Sequence, residues 1–531
     1  MKRALRRFAA RIRTAPGWLR ALVLFATGAI SVVAHAPFHF QPVLAVALVV
    51  LVLFLDDARR TRHPLRAGFW RAWCFSAGMF LAGTSWVANA FLVNAAAHVW
   101  LIWMPLIALP GGLALIWGAA GALYVRLSKP GPTRIAVFTA CFIAAELFRS
   151  TALSGFPWNL PGHIWPAGGY FSQIASLIGA AGLSFITLFA FTSLAALWGR
   201  GPRLARALPP SLGALLLVGV FSFGAARLST AESEVRPGQM LRLVQVRIDQ
   251  ADKVYENRGA ILERYLELSA AGGFDGVSAV IWPEVAIPAY LQQEPELVSR
   301  ISEVFEGGPP LLMGAARYEF AEDAELFFNS FFVLEFSSGA AEITGVYDKT
   351  RLVPIGEGNP IRWATEAFGL TTLSTIAPFF TPGSEPRVLE SAGLPAFAPL
   401  ICYEAIYPRY AITGAKRPSW LLNVSNDAWF GHSSGPIQLM GQAQYRAVES
   451  GLPVVRSALA GVSGLIDPYG RPLAALPIDA EKTIDIPIVA ELPETFYARH
   501  GDAPWLGIAI MLLTMVQLLL VLITKRVQFH P

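Results

Sequence analysis

Through the first 226 residues, long apolar runs alternate with short polar links. Eight segments of the chain approach the roughly 20 helical residues that cross a bilayer. They are Trp18–Ala34, Pro42–Leu55, Ala72–Val93, Val99–Tyr124, Ile135–Leu147, Tyr170–Trp198, Pro210–Ala226 and Trp505–Thr524. The second and fifth are the shortest. Between the seventh and eighth, residues 227–503 return to ordinary globular patterning. Strand-like runs recur there at Leu241–Val246, Val277–Trp282, Pro310–Ala315, Ser330–Leu334, Ala396–Ile401, Trp420–Val424 and Val454–Ala458. Helical periodicity lies between some of them, for instance at Gly259–Ala271. The pattern predicts an integral membrane α-helical bundle of eight transmembrane helices carrying one α/β domain with a largely β core. The expected divisions are residues 1–227 for helices 1–7, 228–502 for the α/β domain, and 503–531 for helix 8 and a tail.

Charge orients these elements. The N-terminal tail, alternate links and the C-terminal tail carry 19 Lys and Arg, among them Arg59, Arg71, Arg134, Arg203 and Lys525. The opposite short loops, His35–Gln41, Asn94–His98 and Phe148–Gly169, carry only Arg149. By the positive-inside rule both termini face the cytoplasm and the α/β domain lies outside it, as an even helix count requires. Ala34-His35-Ala36 reads as a cleavable end to a signal peptide. Cleavage would leave seven helices with the cations on the wrong side, so the first helix is expected to stay.

Composition agrees. Charged residues make up 15% of the chain and mean hydropathy is +0.48, where soluble chains carry about 25% charge. The net charge of +5 sits in clusters beside apolar runs, so topology explains it without a nucleic-acid partner. Cys74 and Cys141 lie in apolar runs and Cys402 stands alone in the α/β domain, which argues against a disulfide framework. Glu146, near a predicted helix end, reads equally as an intramembrane functional carboxylate or as the partner of Arg149. The Gly155-Phe156-Pro157-Trp158 loop suits the headgroup region.

Three candidates for chemistry follow predicted strands: Glu284 after Val277–Trp282, Lys349 after Glu342–Tyr347, and Cys402 after Ala396–Ile401. Strand carboxyl ends are where α/β folds assemble sites. Alone, each has an ordinary reading as turn residue, surface charge or inert buried thiol. Together they supply complementary roles. A thiol reacts as thiolate and is mostly protonated at neutral pH. The domain has only His432 and His500, neither in a recognisable protease motif. A carboxylate such as Glu284, with its pKa raised by burial, would then serve as base. Lys349 would stabilise an oxyanion beside the backbone N–H of Tyr403.

Trp282-Pro283-Glu284, Tyr347-Asp348-Lys349 and Ile401-Cys402-Tyr403-Glu404 resemble, in order, the three signatures of the nitrilase superfamily. Residues 349–357, Ser425-Asn426-Asp427-Ala428-Trp429-Phe430-Gly431 and the membrane stretches Ala36-Pro37-Phe38, Gly155-Phe156-Pro157-Trp158 and Gly182-Leu183-Ser184-Phe185 resemble the apolipoprotein N-acyltransferase family. The resemblance spans nearly the whole chain. It implies an extracytoplasmic αββα sandwich and a catalytic triad of Glu284, Lys349 and Cys402. It also implies supporting roles for Glu357, Glu404 and Tyr403, the last through its backbone. Val246, Arg247, Val254, Leu459 and Ala460 depart from the family's usual residues, outside the triad.

The implied reaction passes a fatty acyl chain from a membrane phospholipid to Cys402 as a thioester. The chain then passes to the α-amine of a diacylglyceryl-cysteine apolipoprotein, at a bacterial inner membrane and on its periplasmic side. The nearest rival is a membrane-tethered amidase or nitrilase acting on a small carbon–nitrogen substrate. An apolar stretch near Leu370–Phe380 favours the acyltransferase. A transporter or receptor is disfavoured by the scarcity of polar residues in the helices, Asn89 and Gln173 being among the few. Scattered histidines and the lack of nucleotide glycine motifs point to no metal or cofactor.

Overall fold

The computed structural model describes residues 15–529 except 153, 322–323, 338–339, 355, 359–378, 413 and 415, with side chains to residue 523. The basic N-terminal tail, the tail side chains beyond residue 523 and most of the Leu370–Phe380 stretch lie outside the described residues. The chain forms two compact units, residues 1–227 with 500–531, and residues 228–499.

In the N-terminal part of the first unit, the described helices of ten residues or more are α1 (Gly17–Ser31), α2 (Pro42–Ala58), α3 (Pro64–Thr84), α4 (Leu109–Leu127), α5 (Arg134–Thr151), α6 (Ala175–Ser193) and α7 (Arg203–Ser229). Six helical spans among the described residues are long and apolar enough to cross a membrane: Gly17–Ala34, Pro64–Leu92, Ala95–Leu127, Phe171–Trp198, Arg203–Ser229 and Ala503–Ile523. The other two expected segments are also helices, but shorter or more polar. α2 has 17 residues and ends on Asp56 and Asp57, and α5 contains Arg134, Glu146 and Arg149.

Those charges are paired. Asp56 takes Arg134 at 2.7 Å, Arg59 at 3.2 Å and the Tyr124 hydroxyl at 2.7 Å, while Asp57 takes Arg71 at 3.1 Å. Glu146 pairs with Arg149 and accepts Trp117 Nε1 at 2.6 Å. Arg149 in turn donates to the carbonyls of Phe156 and, at 2.9 Å, Trp158. Of the two readings of Glu146, the paired one is what the structure displays, and the pair ties α5 to the aromatic loop. α1 and α3 cross closely because Gly28 faces the Phe75 carbonyl and Gly78 the Phe25 carbonyl. A Cβ at either position would fall 1.8 or 2.0 Å from that oxygen.

The second unit stacks two sheets. One is six-stranded in the order β11-β1-β2-β3-β4-β5, and the other five-stranded in the order β10-β9-β8-β7-β6, where β9 is Ser463–Ile466, β10 Pro472–Leu476 and β11 Lys482–Val489. The strands that matter for the site are β1 (Val235–Gln245), β2 (Ala279–Ile281), β3 (Leu311–Ala321), β4 (Ala324–Ser337), β5 (Ala340–Asp348), β6 (Phe397–Ile401), β7 (Trp420–Asn426) and β8 (Val454–Leu459). β1, β2 and β3 are parallel in one sheet, and β6, β7 and β8 in the other. β6, β7 and β8 are buried throughout, which is why they read as unbroken apolar runs.

Helices α8 (Arg258–Ala270) and α9 (Pro295–Val304) cover the first sheet, burying Ile261, Leu262, Leu266 and Ile301 against Val280, Leu311 and Met313. Helix α10 (Gly435–Ser450) covers the second, burying Ala443 and Ala447 against Leu421 and Val454. It stops at Gly451, whose φ of 70° only glycine adopts without strain. Between the sheets Phe331 meets Phe397, and the Ser463 hydroxyl donates to Gln245 Oε1 at 2.5 Å. The layers therefore run helix, sheet, sheet, helix. After this unit, α11 (Ala503–Phe529) returns to the first.

Candidate active site

The carboxyl ends of β2, β5 and β6, drawn from both sheets, deliver Glu284, Lys349 and Cys402 to one place. Glu284 follows β2 and Cys402 follows β6. Lys349 follows β5, its N–H continuing the ladder to the Asn329 carbonyl at 2.8 Å. Gly314 on β3 backs this turn, where a Cβ would lie 2.6 Å from Glu284 Cα. The Lys349 side chain is fully buried, and its ammonium lies 3.2 Å from Glu284 Oε1 and 2.8 Å from Glu357 Oε1. Burial opposes that charge, but Glu284, Glu357 and Cys402 outweigh it, so Lys349 holds its proton well above the usual range. Its chemistry is that of a fixed cation.

The sequence predicts a Glu284 carboxyl raised by burial, and the structure corrects that expectation. Burial does push it up, but the Lys349 ammonium, Asn329 Nδ2 at 2.8 Å and the Asn426 N–H at 2.7 Å hold it below the usual carboxylate range. Stabilisation of the anion by charge and hydrogen bonds exceeds the loss of solvation. Glu284 is therefore ionised at rest and free to accept a proton.

Cys402 is buried and sits at φ 49°, a left-handed conformation uncommon for a residue with a Cβ. Burial pushes its thiol up, and Glu284 and Asp427 add to the effect against Lys349 and a hydrogen bond with Ser425. The resting pair is carboxylate and thiol, not acid and thiolate. Proton transfer is uphill until charge moves off sulfur, so deprotonation has to accompany attack on an electrophile.

The supporting residues divide. Glu357 joins the cluster, with Oε1 shared by Lys349 and Asn329 (2.9 Å) and Oε2 taking the Val353 N–H at 2.8 Å. Glu404 faces a different set. Its Oε1 accepts the Tyr347 hydroxyl at 2.8 Å, the Thr350 and Arg351 N–H groups at 2.9 and 3.1 Å, and Tyr410, while Oε2 accepts the Ile401 N–H at 2.8 Å. It fastens the chain after Lys349 to the strand end before Cys402. Tyr403 is buried, its ring against Tyr407.

Sequence reasoning missed several residues here. Asn329 forks between two carboxylates, and its only signal is a polar step within the run Phe327–Phe332. Lys253 reaches the Glu284 carbonyl at 3.4 Å, and burial lowers its ammonium to about 8 despite Glu284. Asn426, Ser425 and Asp427 belong to a stretch quoted above for resemblance, without roles. Of the departing positions, Val246 and Leu459 are buried in the core, Arg247 and Val254 are exposed, and Ala460 sits at φ 51°.

Residues 27–193 match the family described as Apolipoprotein N-acyltransferase N-terminal domain, and residues 241–495 match Carbon-nitrogen hydrolase. The chain is 37% identical to an apolipoprotein N-acyltransferase of Bradyrhizobium diazoefficiens, over 94% of this chain and 95% of that one. One from Caulobacter vibrioides is 38% identical over 94% of each, and one from Rhodopseudomonas palustris 35% over 98% of each. A solved glutamine-dependent NAD+ synthetase from Acinetobacter baumannii aligns with 48% of this chain and 47% of its own. At 16% identity and a TM-score of 0.35, that likeness is too slight to define the fold.

Proposed function

We propose a reaction course on one premise: the chain belongs to the apolipoprotein N-acyltransferase family. It is a membrane acyltransferase with a carbon–nitrogen-hydrolase domain, and it acylates the N-terminus of apolipoproteins. In the first step Cys402 Sγ attacks the ester carbonyl of a membrane phospholipid while Glu284 takes the thiol proton. The Lys349 ammonium balances the charge that develops on the carbonyl oxygen. The C–O bond breaks, Glu284 returns the proton to the departing oxygen, and a lysophospholipid leaves.

In the second step the α-amine of a diacylglyceryl-cysteine N-terminus attacks the thioester. Glu284 accepts the amine proton and gives it to the departing sulfur, forming an N-acyl amide and restoring the thiol. Glu357 and Asn329 keep Lys349 and Glu284 in register, and Glu404 holds the Lys349 loop against the Cys402 turn. All eight helices cross the inner membrane in this reading. Both termini face the cytoplasm and the catalytic unit faces the periplasm, a reading that the Lys and Arg distribution supports. Drawing both substrates from the bilayer avoids exposing acyl chains to water, at about 0.8 kcal/mol per CH₂.

The single observation behind this course is the meeting of an ionised Glu284, a cationic Lys349 and the Cys402 thiol at the carboxyl ends of strands from two sheets. The hydrolase alternative shares those groups, but the match of residues 27–193 to an N-acyltransferase domain favours acyl transfer. The test incubates the full-length protein in detergent with a phospholipid carrying a tagged acyl chain. A hydroxylamine-labile adduct on Cys402 is expected, absent from Cys402→Ala and retained in Cys74→Ala and Cys141→Ala. Tagged N-acyl product formed equally well by Cys402→Ala would defeat the proposal.

A further inference from the structure

A second buried network lies beside Cys402 and has no part in the course above. The Ser425 hydroxyl donates to Asp427 Oδ1 at 2.6 Å, and Asp427 Oδ2 takes Arg456 Nη2 at 2.6 Å. Arg456 Nη1 donates to Asn423 Oδ1 at 2.8 Å, and Asn423 Nδ2 to the Leu400 carbonyl at 2.9 Å, two residues before the cysteine. All four side chains are buried. β7 and β8 fix them in register, Asn423 opposite Arg456 and Ser425 opposite Ala458. Gly461 makes room for Asp427, because a Cβ there would lie 2.1 Å from its Oδ2. The parallel pairing of Ile401 with Val424 sets Cys402 beside Ser425, whose hydroxyl bears on the ionisation of the thiol.

A hydroxyl has one hydrogen and two lone pairs. While its hydrogen points at Asp427, Ser425 offers Cys402 only a lone pair. That arrangement suits an S–H group, and Ser425 favours the thiolate only with its hydrogen turned toward the sulfur. The sulfur needs a donor only while it carries charge.

We propose that Ser425 is a positioning residue whose hydroxyl hydrogen turns from Asp427 to the sulfur as Cys402 passes its proton to Glu284, with Arg456 holding Asp427 in place to receive that hydrogen again once the thioester forms. The inference rests on Cys402 being the acylated nucleophile. No bond to Ser425 breaks. The thiol proton goes to Glu284 and the hydroxyl only rotates; burial pushes the Asp427 carboxyl up, and the Arg456 guanidinium at 2.6 Å opposes that and holds the carboxylate. The charged groups facing the sulfur are Glu284 after β2, Lys349 after β5 and Asp427 after β7. Arg456 on β8 stands behind Asp427.

Two substitutions then shift Cys402 in opposite directions. Ser425→Ala removes the donor to a charged sulfur and raises the ionisation midpoint by about one pH unit, so alkylation below that midpoint slows about tenfold. Asp427→Asn removes a nearby negative charge and loosens the hold on the hydroxyl hydrogen, so alkylation quickens. Ser425→Thr keeps the hydroxyl and the wild-type profile. A merely structural role would give no opposed pair.

The experiment measures iodoacetamide alkylation of full-length protein in detergent across pH. The Cys402 peptide is quantified by mass spectrometry, with Cys74 and Cys141 as internal references, and acyl-adduct formation is followed in parallel. Opposed shifts support the proposal. If Asp427→Asn does not fold, a slowed Ala variant beside an unchanged Thr variant supports it instead. Unchanged profiles in both Ala and Asn variants, or shifts in the same direction, overturn it while leaving the adduct and the reaction course intact. Absence of adduct on wild-type Cys402 overturns the course itself, and this inference with it.

Discussion

Replacing Lys349 by Met keeps most of the side chain's length and deletes the cation shared by the buried Glu284 and the partly buried Glu357 carboxylates. Glu284 Oε1 and Glu357 Oε1 lie 2.8 and 2.9 Å from the same Asn329 amide nitrogen, so they are at most 5.7 Å apart. At an effective dielectric of about 20, two unit charges at that separation repel by roughly 3 kcal/mol. That equals about two pH units on whichever carboxyl yields. In the intact protein, the depressed Glu284 carboxyl contributes stability above its ordinary range and loses it as pH falls through the lower folded value. Lys349, raised, contributes below its ordinary range and loses that contribution only as pH rises through the higher folded value. Stability is therefore flat between about pH 5 and 8 as far as this cluster is concerned.

In Lys349→Met one carboxyl is raised instead, so its protonation stabilises the folded state at low pH and the penalty grows as pH rises. A loss of roughly 3 kcal/mol corresponds to roughly 6–12 °C in Tm for a unit of this size. The assay is thermal unfolding of the detergent-solubilised protein by tryptophan fluorescence at about pH 5 and pH 8. Adding Glu357→Gln to Lys349→Met removes one of the two charges and recovers most of the loss at high pH, although Glu357→Gln alone destabilises. A pH-independent penalty, or an additive double variant, would refute the charge-sharing account of the site.

Glu404→Gln sets an amide N–H₂ against either the Ile401 N–H or the Thr350 and Arg351 N–H groups, leaving buried donors unpaired. Acyl-adduct formation should fall about tenfold or more with the fold retained by circular dichroism, and a rate within twofold of wild type would exclude its fastening role. Ala460→Gly relieves a left-handed backbone at φ 51° and should raise Tm by a few degrees, about 1 kcal/mol at most; a lower Tm contradicts the strain argument. The Lys253 amine should titrate at about 8 in competitive labelling with an acetylating reagent. Titration near the ordinary lysine value would mean the amine is solvated rather than packed over the Glu284 turn.

Patterning alone carried the two-part organisation. A lipid core admits only segments that satisfy their own backbone and show apolar side chains, so membrane helices announce themselves as long runs. Buried parallel strands announce themselves as short ones. The α/β assignment and the places of β6, β7 and β8 followed from that rule. α2 and α5 were harder to delimit, because Asp56, Asp57, Arg134 and Glu146 interrupt their runs. Only folding reveals that these charges are paired across helices. Glu284, Lys349 and Cys402 were legible because each stands just past an apolar strand and carries a distinct chemical role.

What the sequence determined by itself was composition along a line: which segments prefer lipid, which prefer a sheet, and where reactive side chains interrupt them. Only the tertiary structure decided the electrostatics. Glu284 is depressed rather than raised because Lys349, Asn329 and the Asn426 N–H arrive from three other strands. Ser425 lies between Cys402 and Asp427 because β7 runs beside β6. A pKa is set by neighbours within a few ångströms, and those neighbours come from positions up to 142 residues away along the chain.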